Sequence, residues 1–269
     1  DAIIHVIRCF DDNEIVHVDG SINPIRDKET IEIELQLKDL ESVEKKLSKI
    51  ERASSSGDKN AQNEHAVLNK IIDNLKSSRN VRSIKFTEED RLKFIKPLQL
   101  LTDKPILYVC NVSENDVVSG NKYVEMIQKA ALLEQAQVIF LGVKIEADIN
   151  ELETYEERQL FIEDLGLKEP GSSKLIKSVY KLLSLHTFFT VGKNEVRAWT
   201  IPINSNAQDA AGEIHTDFAK GFIRAEVFSY SDYEKYKSDI KMKEAGKMRV
   251  EGKDYIVKDG DIIYFRFNV

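Results

Sequence analysis

Asn111 and Glu114 stand three residues apart, just past the short apolar run Ile106-Leu107-Tyr108-Val109-Cys110. The run has the length of a buried strand rather than of a helix. In an open α/β sheet, ligands sit outside the carboxyl ends of the strands. An amide, a carboxylate and free backbone groups at such an end can hydrogen-bond the edge of a flat heterocycle. Asn111 would be the bidentate partner, Val112 would add backbone groups and a side wall, and Ser113 would complete the turn to Glu114. A polar cap on a strand-to-helix turn also accounts for Asn-x-x-Glu.

Guanine-binding proteins place Asn-Lys-x-Asp at this point, and the Asp carboxylate accepts from the guanine N1–H and 2-amino groups. Adenine has neither donor. With Ser113 in place of Lys and Glu114 in place of Asp, a guanine preference is expected to be lost.

The elements that would carry this site read as alternating strands and helices. Ala2 to Arg8 is predicted as a buried strand and Phe86 to Leu101 as a helix capped by Thr87. Pro105 opens a strand to Asn111, followed by a helix from Lys122 to Gln135 and a strand from Val138 to Val143. Helices are predicted over 152–165 and 172–183. This alternation argues for a parallel sheet. Between the first strand and Phe86, apolar residues recur at Ile33, Leu37, Leu40, Leu47 and Ile50, then at Ala61, Leu68, Ile71, Ile72 and Leu75. The break at Ser54-Ser55-Ser56-Gly57-Asp58 turns these two stretches into a helical hairpin. After Leu185 the texture changes to short segments. Strands are predicted at 195–201, 222–227 and 261–269, with short helices at 217–221 and 230–237.

Composition narrows the classes. A net charge of −7 argues against a protein that coats nucleic acid generally. No apolar run approaches a membrane span. Cys9 and Cys110 fall in predicted strands without metal-ligand spacing, which fits buried thiols in a reducing compartment. The stretch from Glu44 to Lys85 holds ten Lys or Arg against five Asp or Glu. Lys45, Lys46, Lys49 and Arg52 could face RNA; a solvated helix face is the other reading.

Many separated blocks share one register: Asn111-Val112-Ser113-Glu114, Lys144-Ile145-Glu146-Ala147-Asp148-Ile149, Lys168-Glu169-Pro170-Gly171, Glu195 to Pro202, Ile214-His215-Thr216-Asp217-Phe218, Lys220 to Ala225 and Glu251 to Asp261. Together they resemble the YchF / Obg-like ATPase family over the whole chain. The resemblance implies an α/β fold: part of a P-loop NTPase parallel sheet with an inserted helical hairpin (coiled-coil) and a C-terminal β-grasp TGS domain. The corresponding boundaries are 1–23 and 81–185 for the nucleotide-binding remainder, 24–80 for the arm and 186–269 for the TGS domain. It also implies ATP, or GTP, with Mg²⁺ as ligands of the intact protein. Hydrolysis, a cytoplasmic location, a monomeric state and the ribosome (large subunit and whole particle) as partner are implied as well.

Three positions bear on the site through the resemblance alone. Gly142-Val143-Lys144 aligns with a second base-contacting loop that usually reads Ser-Ala-Lys. The hydroxyl of that Ser is missing here, and Lys144 lies either along the base or in solvent. His17 occupies a place considered for water activation, and an exposed loop histidine is the alternative. The phosphate-binding Gly-x-x-x-x-Gly-Lys-Ser/Thr pattern does not occur in the sequence. The chain is therefore expected to be the C-terminal portion of such a protein, to bind nucleotide weakly by itself and to be inactive alone. A non-enzymatic adaptor binding RNA, ribosomes or another protein is the alternative function.

Overall fold

The computed structural model describes residues 1–12, 20–192 and 195–268. The chain divides into two compact units, Asp1–Leu182 and Leu183–Val269. No helix among the described residues is long and apolar enough to cross a membrane.

The first unit is built on three parallel strands, β1 (Ile3–Arg8), β2 (Ile106–Asn111) and β3 (Gln137–Leu141), in the order β1-β2-β3. Ile3 to Arg8 pair with Ile106 to Asn111, and Leu107 to Asn111 with Gln137 to Leu141. β2 is central and almost wholly buried, which explains its unbroken apolar sequence. β1 is less buried than expected. It is an edge strand of the described sheet, and Ile4 and Val6 are exposed beside Leu107 and Val109. The helix Gly171–Leu182 covers the sheet face at Leu107, Val109, Ile139 and Leu141, and Ile4 and Val6 lie outside that cluster.

The hairpin forms as predicted, from α1 (Pro24–Ser55) and α2 (Lys59–Lys76). Asn23 caps α1 by accepting from the Arg26 N–H, Pro24 stands at the first turn, and Asp58 caps α2 at Asn60 and Ala61. Gly57, at φ +92°, makes the turn between them. Leu40, Val43, Leu47 and Ile50 pack against Leu68, Ile71, Ile72 and Leu75. Ile33 and Leu37 do not join this seam and are exposed. The root of α1 turns a polar face inward instead, with Lys28, Gln36 and Asp39 buried and Glu32 half-buried, because its neighbours there are polar and charged side chains and backbone N–H groups that Asp39 accepts from.

The predicted helix over 86–101 is interrupted. It comprises α3 (Glu88–Asp90), a wider turn at Arg91–Ile95 and a tighter one at Lys96–Leu98, and ends at Gln99 with φ +52°. Pro97 has no N–H to continue the ladder. Beyond β2 come α4 (Lys122–Glu134), α5 (Val143–Glu151), α6 (Tyr155–Asp164) and α7 (Gly171–Leu182). The sequence pattern puts Val143 and Lys144 at a strand end; they open α5 instead, after Gly142.

The second unit is a mixed five-stranded sheet. Its strands are β4 (Leu185–Val191), β5 (Val196–Pro202), β6 (Phe222–Ser229), β7 (Arg249–Glu251) and β8 (Asp261–Phe267), in the order β5-β4-β8-β6-β7. β4 and β8 run parallel at its centre, and the other neighbours are antiparallel. Phe188, Ile201, Ala225, Val227 and Ile263 pack under α8 (Ala207–Ile214) through Ala207 and Ala210. On the other face, Phe228 and Ile262 meet Met242 of the short helix Asp239–Glu244.

Candidate base-binding loops

Asn111 is the last residue of β2. Its carbonyl accepts from the Cys9 N–H at 2.8 Å, so its backbone is held by the end of β1. Its side-chain Oδ1 accepts from the Val143 N–H at 3.0 Å and ties the β2 loop to the first turn of α5. Oδ1 keeps one lone pair, and Nδ2 has no hydrogen-bond partner among the described residues. The amide therefore has one donor side and part of its acceptor side left for a ligand.

Val112 is turned the other way. Its side chain is buried in the core with Cys110 and Val117, and its N–H donates to the Leu141 carbonyl at 3.0 Å. The side wall expected from this residue is absent, and its carbonyl is the group left for a contact. Ser113 Oγ donates to Asp116 Oδ2 at 2.9 Å, and the Asp116 N–H returns to the Ser113 carbonyl. Glu114 opens the following tight turn and is exposed, with no partner for its carboxylate among the described residues.

Side chains that sequence reasoning does not single out fix these loops. Asn121 Nδ2 donates to the Cys9 carbonyl and to Asp116 Oδ2, each at 2.8 Å, while its Oδ1 caps α4 at Tyr123 and Val124. One residue thus joins the end of β1, the turn after Glu114 and a helix start. Its only sequence signal is that of a helix cap, Asn before an amphipathic stretch. Glu146 of α5 accepts from the Gly171 and Ser172 N–H groups at 2.6 and 2.8 Å, capping α7. The start of α7 is thereby held against α5, and nothing in the local sequence announces it. Gly142 is buried, and a Cβ there would lie 2.9 Å from Val117 Cγ1. Absence of a side chain, rather than a special φ, is what this position requires.

The end of β2 at Asn111, with Ser113 and Glu114 after it, is thus joined to Val143 and Lys144 at the start of α5 by the Asn111–Val143 hydrogen bond, and Val143 and Lys144 are exposed. His17 lies outside the described residues. Lys45, Lys46, Lys49 and Arg52 sit far along α1 from the sheet. Lys45, Lys49 and Arg52 are exposed, whereas Lys46 pairs across the hairpin with Glu64 at 2.9 Å. Among the described residues no group of three or more His, Cys, Asp or Glu could hold a metal ion. Cys9 and Cys110 are buried, and their mutual hydrogen bond together with burial pushes the Cys9 thiol far above its ordinary value.

The strongest electrostatic grouping lies at the hairpin root, away from these loops. Lys28 Nζ meets Glu32 at 2.9 Å and Glu134 at 2.5 Å, and Arg82 approaches both carboxylates at 3.4 Å. The Tyr108 hydroxyl donates to Glu32 at 2.7 Å. Burial alone would raise the Glu32 pKa, but the bonds from Lys28 and Tyr108 and the charges of Lys28 and Arg82 hold it below the ordinary value. Burial pushes Tyr108 well up, helped by its bond to Glu32. The cluster is fully paired, which suits a structural anchor between α1, α4 and β2.

Comparison with known proteins gives one family throughout. A family model described as "YchF-GTPase_C: Protein of unknown function (DUF933)" matches residues 185–268. The chain is 49% identical over 271 residues to a "Ribosome-binding ATPase YchF" of Bacillus subtilis (strain 168), covering 100% of this chain and 74% of that protein. It is 46% identical over 269 residues to the protein of the same name from Escherichia coli O157:H7, covering 100% and 73%. The solved structure of the Schizosaccharomyces pombe YchF GTPase superposes with a TM-score of 0.83 at 35% identity, covering 99% of this chain and 72% of that one.

Proposed function

The chain belongs to the YchF family, and from that premise we propose that it acts in a ribosome-associated, ATP-hydrolysing switch protein that prefers ATP to GTP. Its curated relatives carry the name ribosome-binding ATPase. The observation that carries the adenine reading is the Asn111 amide, anchored through Oδ1 to the Val143 N–H and with Nδ2 left to donate, three residues ahead of the exposed Glu114. Adenine offers N7 as acceptor and the 6-amino group as donor, and Asn matches that edge with both of its amide atoms. Glu114, one methylene longer than Asp and without a preceding Lys, no longer matches the two guanine donors. Val143 and Lys144 border the base from the second loop.

The described residues suit the base and not the phosphates. The sequence holds no Gly-x-x-x-x-Gly-Lys-Ser/Thr, and the described residues hold no cluster of three or more His, Cys, Asp or Glu that could bind a metal ion. A bound Mg²⁺ would supply charge neutralisation on the phosphates in this class of reaction. In the second unit, the mixed sheet under α8 fits the β-grasp reading, and we assign it as the TGS module. Ribosome association is assigned to the hairpin and this module, and a cytoplasmic location follows from that partner.

The test is nucleotide selectivity. In the intact protein, changing Ser113→Lys together with Glu114→Asp should shift the ATP/GTP affinity ratio toward GTP by about tenfold, since a mismatched buried polar contact costs about 1–3 kcal/mol. An unchanged ratio removes the specificity role of this segment.

A further inference from the structure

The hairpin root carries a cationic surface distinct from the set at Lys45 to Arg52. From Asn74 to Thr87 the sequence has Lys76, Arg79, Arg82 and Lys85 and no acidic residue, in a chain of net charge −7. Two of these four are engaged. Lys76 pairs with Glu44 at 3.2 Å, and Arg82 turns inward to Thr102, Glu32 and Glu134. Arg79 and Lys85 are exposed, and their side chains have no hydrogen-bond or ion-pair partner among the described residues. With Lys70 of α2 they line a groove of about 580 Å³ between α2 and residues 79–85. Asp73 is its one acidic wall residue; Asn69 also lines it, with its amide NH₂ already donating to the His65 carbonyl and ring nitrogen at 3.0 Å each.

Both ends of that segment are pinned to α2. Asn74, buried, donates Nδ2 to the Arg79 and Asn80 carbonyls, each at 3.0 Å, and the Arg79 N–H returns to the Asn74 carbonyl at 3.1 Å. One turn earlier, Lys70 Nζ donates to the Lys85 carbonyl at 3.0 Å and stands 5.0 Å over the Phe86 ring. Side chains at i and i+4 of one helix face thus hold the stretch bearing Arg79 and Lys85 at a fixed spacing.

We propose that this groove binds the phosphodiester backbone of RNA. Three cations along one groove, Lys70 from α2 and Arg79 and Lys85 from the segment that follows it, suit successive phosphates. The apolar wall consists of Ala66 and Ile84, which is too little to seat the anchor side chain that peptide interfaces depend on. The inference deepens the ribosome-association reading by naming a contact surface, and it can fail separately from it.

The experiment uses the full chain, a labelled 20-nucleotide polyuridylate read by fluorescence anisotropy, and co-sedimentation with purified ribosomes. Arg79→Glu with Lys85→Glu should weaken RNA binding at least tenfold. It should also flatten the dependence of log affinity on log salt by about 1.4, since each phosphate that is no longer neutralised on a single strand removes about 0.7 from the slope. Arg79→Gln with Lys85→Gln should give a smaller loss in the same direction, with circular dichroism unchanged in both variants. Wild-type protein that ignores polyuridylate, or an affinity that both variants leave unchanged, overturns the proposal. So does polyglutamate displacing the RNA at equal charge, which would make the groove a site for acidic protein. Ribosome binding lost in Lys45→Glu/Lys49→Glu/Arg52→Glu but retained in the root variant also rejects the groove, while leaving the family reading intact. Wild-type protein that binds polyuridylate through Arg79 and Lys85 but not ribosomes would support the groove and remove the ribosome reading.

Discussion

Replacing Asp39 should loosen the arm from the sheet-bearing unit. Asp39 is 2% exposed and sits in the middle of α1, where a carboxylate would ordinarily face water. It accepts three hydrogen bonds, from the Leu101 N–H at 2.8 Å, the Thr102 N–H at 2.7 Å and the Thr102 hydroxyl at 2.6 Å. Thr102 in turn accepts from the Val81 and Arg82 N–H groups, so one side chain secures both segments that flank the arm root. Asp39→Ala leaves three donors in a site closed to water. Each unsatisfied donor costs about 1–3 kcal/mol, and the carboxylate's own desolvation is relieved, so a net loss of about 3–5 kcal/mol is expected. At about 2–4 °C per kcal/mol for a unit of this size, Tm should fall by about 6–20 °C. Asp39→Asn should lose a large part of this, because its NH₂ must face a backbone N–H. Lys38→Ala, next in sequence but exposed, should change Tm little. Thermal unfolding followed by circular dichroism, with amide exchange at Leu101 and Thr102, makes the measurement. If Asp39→Asn melts with the wild type and keeps those amides protected, the anchoring argument is wrong.

Acid should destabilise the first unit in steps. His5, held below its ordinary value of 6.5 by burial, resists protonation when folded, so its contribution is complete above that value and is lost as pH falls through the folded pKa. Glu32, held below its ordinary 4.5, adds stability that is complete above 4.5 and disappears at lower pH; in a Tm series against pH, Glu32→Gln should abolish that lower step. Gly171→Ala would put a Cβ 2.7 Å from Leu141 Cβ and 2.9 Å from Glu146 Oε1. It should cost about 1–3 kcal/mol by overpacking and release the Glu146 cap, read as a lower Tm and faster exchange at Ser172.

Period and punctuation carry much of the fold. β2 is an apolar run ended by polar residues, and the hairpin follows its apolar spacing and its Ser/Gly break through the distal half of α1. The pattern fails where burial is polar. Lys28, Glu32, Gln36 and Asp39 lie on the buried face of the root while Ile33 and Leu37 face outward, because partners distant in sequence decide that face. The start of α5 reads as the end of a strand because Val143 continues the apolar run of β3; Gly142 starts the helix instead. β4 and α8 escape the pattern, since Leu185–Val191 alternates weakly and an Ala-rich helix offers a small apolar face. At the candidate site, Asn111 and Glu114 are legible because a short motif at a strand end has a stated chemistry. Asn121 and Glu146 are not, because their roles come from hydrogen bonds to backbone that only the fold brings near.

Reading of adenine by the loop after β2 is proposed to run through the Asn111 amide. It is tested most directly by titrating the ¹⁵N-labelled chain with ATP and, separately, with GTP while following the Asn111 side-chain NH₂ and the Val143 backbone amide. With ATP both signals should shift progressively over a weak-binding range, with GTP the shifts should be smaller, and Asn111→Ala should lose the ATP response with the remaining spectrum in place. Equal responses to the two nucleotides, or ATP shifts that leave the Asn111 amide unmoved, would contradict it.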